Sequence, residues 1–257
     1  LTLKGKSLLQ QAEVVLYDAL AHPNLLSYCS DKCQLVLVGK RKGKHSEKQS
    51  SINEKMVTFA KKGKMVVRLK GGDPLIFGRG GEEMQYLTKH QIPFEVIPGI
   101  TSAIAVPSYA GIPLTHRNLS RSVAFVTGTL KKDEAQLDIP VADTLVFLMA
   151  VTNLESIVEH ILKLDRFSDD TPAALINHGT LAEEEIHQGT LATIVDIKNE
   201  MKVKTPAIFV VGDVVGLAEQ FNWRSQLPLA GKRVVVLRDK EQAQSYVERF
   251  SELGAET

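Results

Sequence analysis

Short apolar runs alternate with amphipathic stretches over the first part of the chain. Each run is rich in Val, Leu and Ile and stops at glycine, proline or a charged residue, which is typical of buried parallel strands. These runs predict strands at 14–17, 35–38, 65–69 and 94–97. The amphipathic stretches predict helices at 2–12, 47–62, 80–90 and 101–109. The alternation favours right-handed βαβ units on a parallel sheet.

The segment 111–117 interrupts this pattern, and we interpret it as the crossing into a second domain. Beyond it, strands are predicted at 123–127, 144–149, 173–177, 187–193 and 207–211, with a helix at 153–164. The Gln-Gly-Thr sequence at 188–190 indicates an antiparallel strand, so we expect the second sheet to be mixed.

The character of the chain changes again after Trp223. A linker is followed by a predicted strand at 232–238 and a helix at 241–253. One βα pair cannot bury both of its faces, so we interpret this tail as the start of another α/β domain. The fold class expected is therefore α/β, with two α/β domains at 1–115 and 116–226, then a linker and tail at 227–257.

Composition excludes several classes of protein. The 257 residues carry a net charge of +1 and are 44% hydrophobic, which is ordinary for a soluble globular protein. The sequence lacks a basic stripe with interleaved aromatic residues, which nucleic-acid binding would favour. It also lacks an apolar run long enough to span a membrane, and it shows no signal peptide. We expect a cytoplasmic protein in which Cys29 and Cys33 are free thiols and no metal is bound. The chain opens without an initiator methionine, and we interpret its front as trimmed.

The string from residue 70 to residue 83 is the richest in chemistry, reading Lys-Gly-Gly-Asp-Pro-Leu-Ile-Phe-Gly-Arg-Gly-Gly-Glu-Glu. Paired glycines allow the backbone to approach a ligand closely. Asp73 follows a strand at the sheet edge where open α/β folds bind ligands. The string is not a P-loop. A tight turn with a helix cap is the alternative, but the length of the string and the residues Phe77 and Arg79 within it favour a ligand site.

A second string spans 96–103 and continues at 109–117. Thr101 and Ser102 stand where a helix is predicted to begin. One of them can act as the N-cap, or both can hold the carboxylate or amine of a small ligand.

Together these strings resemble the tetrapyrrole methylases that use S-adenosylmethionine, in particular those acting on uroporphyrinogen III. The resemblance runs from Leu1 to about Trp223 and is supported by Val-Leu-Tyr-Asp at 15–18, Val-Gly-Lys-Arg at 38–41, Phe-Leu-Met at 147–149 and Thr-Pro-Ala-Ile at 205–208. It implies the class III methylase fold, with the cofactor in the cleft between two domains, and a homodimer. S-adenosylhomocysteine would be the product.

The resemblance also concerns both ends of the chain. The family opens with a strand and a Gly-x-Gly-Pro-Gly-Asp loop upstream of Leu1, and we expect the natural protein to have them. The tail from Gly231 resembles the start of uroporphyrinogen-III synthase, so we expect a fused synthase domain.

The family's functional residues match a set of positions here. Asp18 and Lys40 match the general base and the general acid. The implied cofactor contacts are Gly71, Gly72, Asp73 and Ile76 in the glycine string, Thr101 and Ser102 at the methionine end, and Met149, Gly179 and Ala207 at the nucleoside. Simpler roles are open for several of them: a turn or N-cap for Asp18, a solvated surface for Lys40, core packing for Met149 and a turn for Gly179.

The substrate expected is rich in carboxylates, which guanidinium groups bind through paired hydrogen bonds. The basic loop at 40–45 is a candidate binding surface despite the neutral total charge. The candidate substrate residues are Arg41, His45, Arg79, His116 and Arg117. A solvated face for the loop and a structural role for His116 are the alternatives.

We expect methylation of uroporphyrinogen III at two carbons, giving precorrin-2 for sirohaem or cobalamin biosynthesis. Two other functions stay open. One is methylation of a later corrin precursor, which the number of methyl groups added would distinguish. The other is a non-catalytic module that binds a nucleotide or another anion.

Overall fold

A computed structural model describes residues 1–39, 48–129 and 137–257. The chain divides into two compact units, Leu1–Thr101 and Ser102–Thr257, and each is described by itself. The division falls before the boundary predicted at residue 115, because the helix that follows it packs on the second sheet: its Ala103 and Val106 share a buried cluster with Val146. The tail at 227–257 also belongs to the second unit.

The first unit is built from a parallel sheet and its flanking helices. Its elements among the described residues are α1 (Leu3–Gln11), β1 (Val14–Tyr17), a 3-10 turn (Pro23–Tyr28), β2 (Gln34–Leu37), α2 (Gln49–Lys61), β3 (Val66–Leu69) and α3 (Gly80–Lys89). The strand order is β2-β1-β3, with both pairs parallel. These elements confirm three of the predicted strands and three of the predicted helices to within two residues.

Both faces of β1 are buried, which explains its unbroken apolar sequence. Val15 packs with Leu9 of α1 on one face, while Leu16 packs with Ile52 and Met56 of α2 on the other. A strand covered on both faces needs no polar alternation.

The predicted strand at 94–97 is wrong. The segment contains no strand, and Phe94 is 43% exposed. A strand needs a neighbour for its backbone hydrogen bonds as well as an apolar sequence, and no other part of the described chain pairs with this segment.

The second unit has a larger, mixed sheet. Its elements are α4 (Ser102–Tyr109), β4 (Val123–Thr127), β5 (Thr144–Leu148), α5 (Leu154–Ile161), β6 (Pro172–Asn177), β7 (Glu185–Thr190), α6 (Ile194–Glu200), β8 (Ala207–Val211) and α7 (Lys240–Glu252), with 3-10 turns at Val151–Asn153, Asp213–Leu217 and Arg224–Gln226. The strand order is β4-β5-β8-β6-β7. Among the described strands of this sheet, β4 and β5 pair in parallel and the other pairs are antiparallel, which confirms the prediction of a mixed sheet.

The second sheet also carries helices and loops on both faces. Alternate residues of β6 point into two separate buried clusters: Leu175 packs with Leu154 and Ile157 of α5, and Ile176 packs with Val106 of α4. No helix in the described ranges is long and apolar enough to cross a membrane.

The tail forms its helix, α7, but not its strand. The predicted strand at 232–238 is reduced to one isolated bridge between Arg233 and Glu256. Val235 and Leu237 are 76% and 89% exposed. These apolar residues have no sheet to pack against, so the sequence pattern alone does not make them a strand.

Candidate functional site

The first sheet ends in two loops that lie side by side. The last residues of β1 and β3, Tyr17 and Leu69, are paired in register. The backbone N–H of Asp18 donates to the carbonyl of Leu69 at 3.3 Å. The structure thus brings Asp18 next to the loop that begins at Lys70, on the edge where parallel sheets bind ligands.

An arginine from the neighbouring strand holds the Asp18 carboxylate. Arg68 Nη2 donates to Asp18 Oδ1 at 2.7 Å. The Asp18 side chain is 27% exposed, whereas that of Arg68 is 11% exposed. A carboxylate that is oriented in this way and still reaches solvent can take a proton from a bound ligand.

The glycines after β3 allow backbone segments to touch. A Cβ atom on Gly71 would lie 2.9 Å from the carbonyl oxygen of Leu20, and one on Gly99 would lie 2.2 Å from that of Gly72. Real Cβ atoms do not approach this closely, so a side chain at either glycine would displace the backbone. The glycine string therefore has a packing role in the turn, whatever it binds.

The Asp73 carboxylate ties this loop to the turn at 98–99. Its Oδ1 accepts the N–H of Leu75 at 2.8 Å, and its Oδ2 accepts the N–H of Gly99 at 2.9 Å. Both oxygens therefore order the backbone of the loop. A direct contact of Asp73 with the cofactor stays a prediction.

The next residues of the loop point outward. Ile76 is 38% exposed. Phe77 and Arg79 have φ angles of 51° and 59°, in the left-handed region that is costly for residues with a side chain. The Arg79 guanidinium is paired with Glu82, at 2.6 Å between Nη2 and Oε2, and this bond raises the pKa of Arg79. To bind a substrate carboxylate, the Arg79 guanidinium would have to break its ion pair with Glu82 or bind both carboxylates at once.

The two hydroxyl residues of the second string fall where the units divide. Thr101 ends the first unit and is buried, and Ser102 begins α4 in the second. Their contact with the methionine end of a cofactor stays a prediction. Lys40, Arg41 and His45 lie outside the described residues.

Met149, Gly179 and Ala207 lie along one edge of the second sheet. Met149 follows β5, Gly179 follows the last residue of β6 by two positions, and Ala207 begins β8, the strand between them. Asn177 and Ala207 are register partners. The structure therefore brings the three candidate nucleoside contacts together on adjacent strands.

This edge offers apolar and small surfaces. Met149 is 49% exposed and has a φ angle of 59°, so the core-packing alternative is wrong for it. A Cβ atom on Gly179 would lie 2.4 Å from Cγ1 of Val106 on α4. Gly179 is therefore required by its packing on that helix, at least.

His116 and Arg117 lie away from that edge. The N–H of His116 donates to the carbonyl of Ser120 at 2.8 Å. Arg117 lines an open polar pocket beside the first residues of β4 and β5, with Arg121, Asp143 and Arg166. Within the second unit, these candidate substrate residues are at the opposite end of β5 from Met149.

The buried ionic cluster that contacts Asp18 was not predicted from the sequence. Arg68, Lys70 and Glu83 are 11%, 8% and 7% exposed, and both cations bond to the Glu83 carboxylate. The signal was present in the sequence, because Arg68 interrupts an otherwise apolar strand and a buried cation needs a partner.

The cysteines and the acidic and histidine side chains of the described residues are the groups that a disulfide or a metal site would require. Neither Cys29 nor Cys33 forms a disulfide within the described residues, and burial raises the pKa of the Cys33 thiol. Within the described ranges, no three side chains of His, Cys, Asp or Glu cluster as a metal site would require.

Comparison with known proteins identifies the family. The profile of the Tetrapyrrole (Corrin/Porphyrin) Methylases matches residues 1–195. The uroporphyrinogen-III C-methyltransferase of Methanocaldococcus jannaschii is 49% identical over 223 residues, covering 85% of this chain and 92% of that enzyme. The siroheme synthase of Pseudomonas fluorescens (strain Pf0-1) is 48% identical over 229 residues, covering 87% of this chain. The chain spans about half of that longer protein, 49%.

A solved structure shares the fold. The uroporphyrin III C-methyl transferase of Thermus thermophilus, in complex with S-adenyl homocysteine, aligns with a TM-score of 0.69 and 34% identity. The alignment covers 84% of this chain and 92% of that one.

Proposed function

The chain belongs to the tetrapyrrole (corrin/porphyrin) methylase family, and on that premise we propose that it transfers methyl groups from S-adenosylmethionine to carbon atoms of uroporphyrinogen III. The observation that carries this proposal is the 49% identity to a uroporphyrinogen-III C-methyltransferase over 92% of that enzyme's length. Two transfers give precorrin-2, which feeds sirohaem and cobalamin biosynthesis.

The residues present fit the cofactor. At the first sheet edge, Gly71 and Gly99 let backbone segments pack in direct contact, which fixes the course of the loop that would hold the cofactor. At the second, the half-exposed Met149 and the small residues Gly179 and Ala207 suit the flat, apolar faces of an adenine ring. We assign Gly71, Gly72, Asp73 and Ile76 to the first set of contacts, Thr101 and Ser102 to the methionine end, and Met149, Gly179 and Ala207 to the nucleoside.

The reaction requires the protein mainly to orient the two reactants and to transfer a proton. When bound, S-adenosylmethionine supplies a methyl group already activated as a sulfonium, so in-line transfer depends on alignment of the two reactants. The methylated ring must then lose or shift a proton. Asp18, held by Arg68 at 2.7 Å and partly exposed, is the group we assign as the base. Lys40 is assigned as the acid.

The carboxylates of the substrate call for cationic partners. Arg41 and His45 of the basic loop are candidates, with Arg79, His116 and Arg117. Arg79 is held by Glu82 in the described structure, and Arg117 lies beside Arg121 and Arg166. Binding of a carboxylate by Arg79 therefore competes with Glu82, whereas Arg117 lies in a cationic pocket.

The assembly and cellular setting are further parts of the proposal. We propose a cytoplasmic homodimer with no membrane or nucleic-acid partner, and a tail that continues into a uroporphyrinogen-III synthase-like domain. Sedimentation of the purified protein tests whether it forms a dimer. The natural reading frame beyond Thr257 tests the last.

Calorimetric titration with S-adenosylhomocysteine tests cofactor use. One-site binding, followed by transfer of radiolabelled methyl groups to uroporphyrinogen III, is the expected result. Binding without transfer to any tetrapyrrole would favour a non-catalytic module instead. Transfer only to a later corrin precursor would assign the chain to a different step.

A further inference from the structure

We propose that Glu83 is a positioning residue for methyl transfer: its buried carboxylate fixes Arg68, which in turn fixes the Asp18 carboxylate. This inference rests on the proposed function, in which Asp18 is the base. The three residues all lie in the first unit: Asp18 directly follows β1, Arg68 is on β3 and Glu83 is on α3.

Glu83 is the hub of a buried network. It lies in the first turn of α3 with its side chain 7% exposed. Its Oε1 accepts hydrogen bonds from three side chains: Gln49 Nε2 at 3.0 Å, Arg68 Nε at 3.1 Å and Lys70 Nζ at 2.9 Å. One carboxylate oxygen therefore joins α2, β3 and the start of the glycine loop.

Arg68 passes this constraint to the sheet edge. Its Nη1 donates to the carbonyls of Leu16 and Leu69 at 3.3 and 3.0 Å, and its Nη2 donates to Asp18. A guanidinium is rigid and planar, so fixing Nε at Glu83 fixes where Nη2 points. The Asp18 carboxylate takes its orientation from that atom.

Charge balance makes the network sensitive to the loss of Glu83. Arg68 and Lys70 are nearly buried, and Glu83 and Asp18 are their acidic partners. Without Glu83, Arg68 would keep its ion pair with the partly exposed Asp18 carboxylate, and Lys70 would lose its ion pair with Glu83. Buried charges tolerate such a loss poorly.

A role for Glu83 in stability alone does not explain why the network includes Arg68. The bonds from Gln49 and Lys70 to Glu83 would fasten the helices and the loop to the sheet without Arg68. The contact between Arg68 and Asp18 instead extends the network to the open edge of the sheet. It connects Glu83 to the group assigned to proton transfer.

Glu83→Gln and Glu83→Asp test the proposal, with Glu54→Gln as the matched control on the exposed face of α2. Glu83→Gln removes the charge and keeps the shape; Glu83→Asp keeps the charge but withdraws the carboxylate from Arg68. Both are expected to lower kcat about 10-fold or more while the Kd for S-adenosylhomocysteine changes less than about 2-fold. Because Glu83→Asp keeps the charges balanced, it serves as the test protein if Glu83→Gln does not fold.

The distinguishing measurement repeats these substitutions in an Asp18→Asn background, with steady-state formation of the released methylated product followed over many turnovers. If Glu83 acts through Asp18, the substitution causes no further loss of rate there. An equal fold-loss in both backgrounds, or a wild-type kcat for both Glu83 variants, would overturn the proposal. Wild-type turnover of Asp18→Asn alone would instead remove Asp18 as the base, and the inference would fall with it.

Discussion

Arg68 Nη2 lies 2.7 Å from Asp18 Oδ1; Asp18 directly follows β1, and Arg68 lies on the adjacent parallel strand β3. The pair joins a nearly buried cation to a carboxylate that still reaches solvent. Charge-assisted hydrogen bonds of this length orient a carboxylate strongly. Asp18 is therefore held in one orientation before any ligand arrives.

Replacing Asp18 by asparagine should lower turnover to the finished product by about 100-fold or more, because an amide cannot accept the proton that the methylated ring must lose. Binding of S-adenosylhomocysteine should be nearly unchanged. Steady-state rates of product formation and calorimetry measure the two effects separately. Asp31→Asn, at an exposed turn, is the matched control. Equal turnover of the Asp18 variant and the control would remove Asp18 from the mechanism.

Gly99→Ala should destabilise the protein and weaken binding of S-adenosylhomocysteine. The new Cβ would lie 2.2 Å from the carbonyl oxygen of Gly72 and push the two loops apart. Gly81→Ala is the control, since a Cβ there has no atom within 4 Å. Gly81→Ala should be neutral or stabilise the helix by about 0.5 kcal/mol. Thermal unfolding with and without ligand checks both, and an unperturbed Gly99→Ala protein would refute the close packing.

Gly179→Ala should cost about 1–3 kcal/mol of unfolding free energy through overpacking against Val106. It should also weaken ligand binding by displacing the loop. Adding Val106→Ala should recover part of both losses, because it removes the Cγ1 atom 2.4 Å from the new Cβ. Denaturant unfolding and calorimetry on both single variants and the double variant give the comparison. Failure of Val106→Ala to recover either quantity would mean that α4 is not the obstacle.

Asp143 should make the unfolding midpoint depend on pH in acid. The backbone N–H of Arg121 donates to its carboxylate at 2.8 Å, and Arg166 adds an ion pair, which together hold the pKa of Asp143 below its ordinary value. A lowered pKa in the folded state stabilises the protein above the unfolded value of about 3.9, and that stability is lost as the pH falls through the folded pKa.

The difference in midpoint between wild type and Asp143→Asn should therefore be full near pH 6 and shrink below about pH 4. Thermal unfolding across this range measures it, with Asp170→Asn at an exposed position as the control. A difference that stays constant down to low pH would contradict the assigned cause.

The predicted strands that form are those that have another strand to pair with in the described structure. β1 and β5 are short, apolar and buried on both faces, so composition and length sufficed to find them. The runs at 94–97 and 232–238 also contain apolar and β-branched residues but have no sheet neighbour in the described structure, and residues such as Phe94 and Leu237 are exposed. Local pattern cannot supply a hydrogen-bonding partner.

The sequence predicted the parts of the candidate site that are continuous along the chain. It did not predict contacts between residues that are distant in sequence. The glycine string and Asp18 stand at strand ends, a position that periodicity locates. Glu83 meets Arg68 only because α3 folds back over β3. The family resemblance supplied Met149 and Gly179, which no local pattern would have selected.

The most direct test of the central claim is the mass of the tetrapyrrole recovered after incubation of the protein with S-adenosylmethionine and uroporphyrinogen III. The account predicts a product that carries two added methyl groups, with S-adenosylhomocysteine formed in the same two-to-one ratio. A protein that binds S-adenosylhomocysteine yet returns uroporphyrinogen III unmethylated would contradict it.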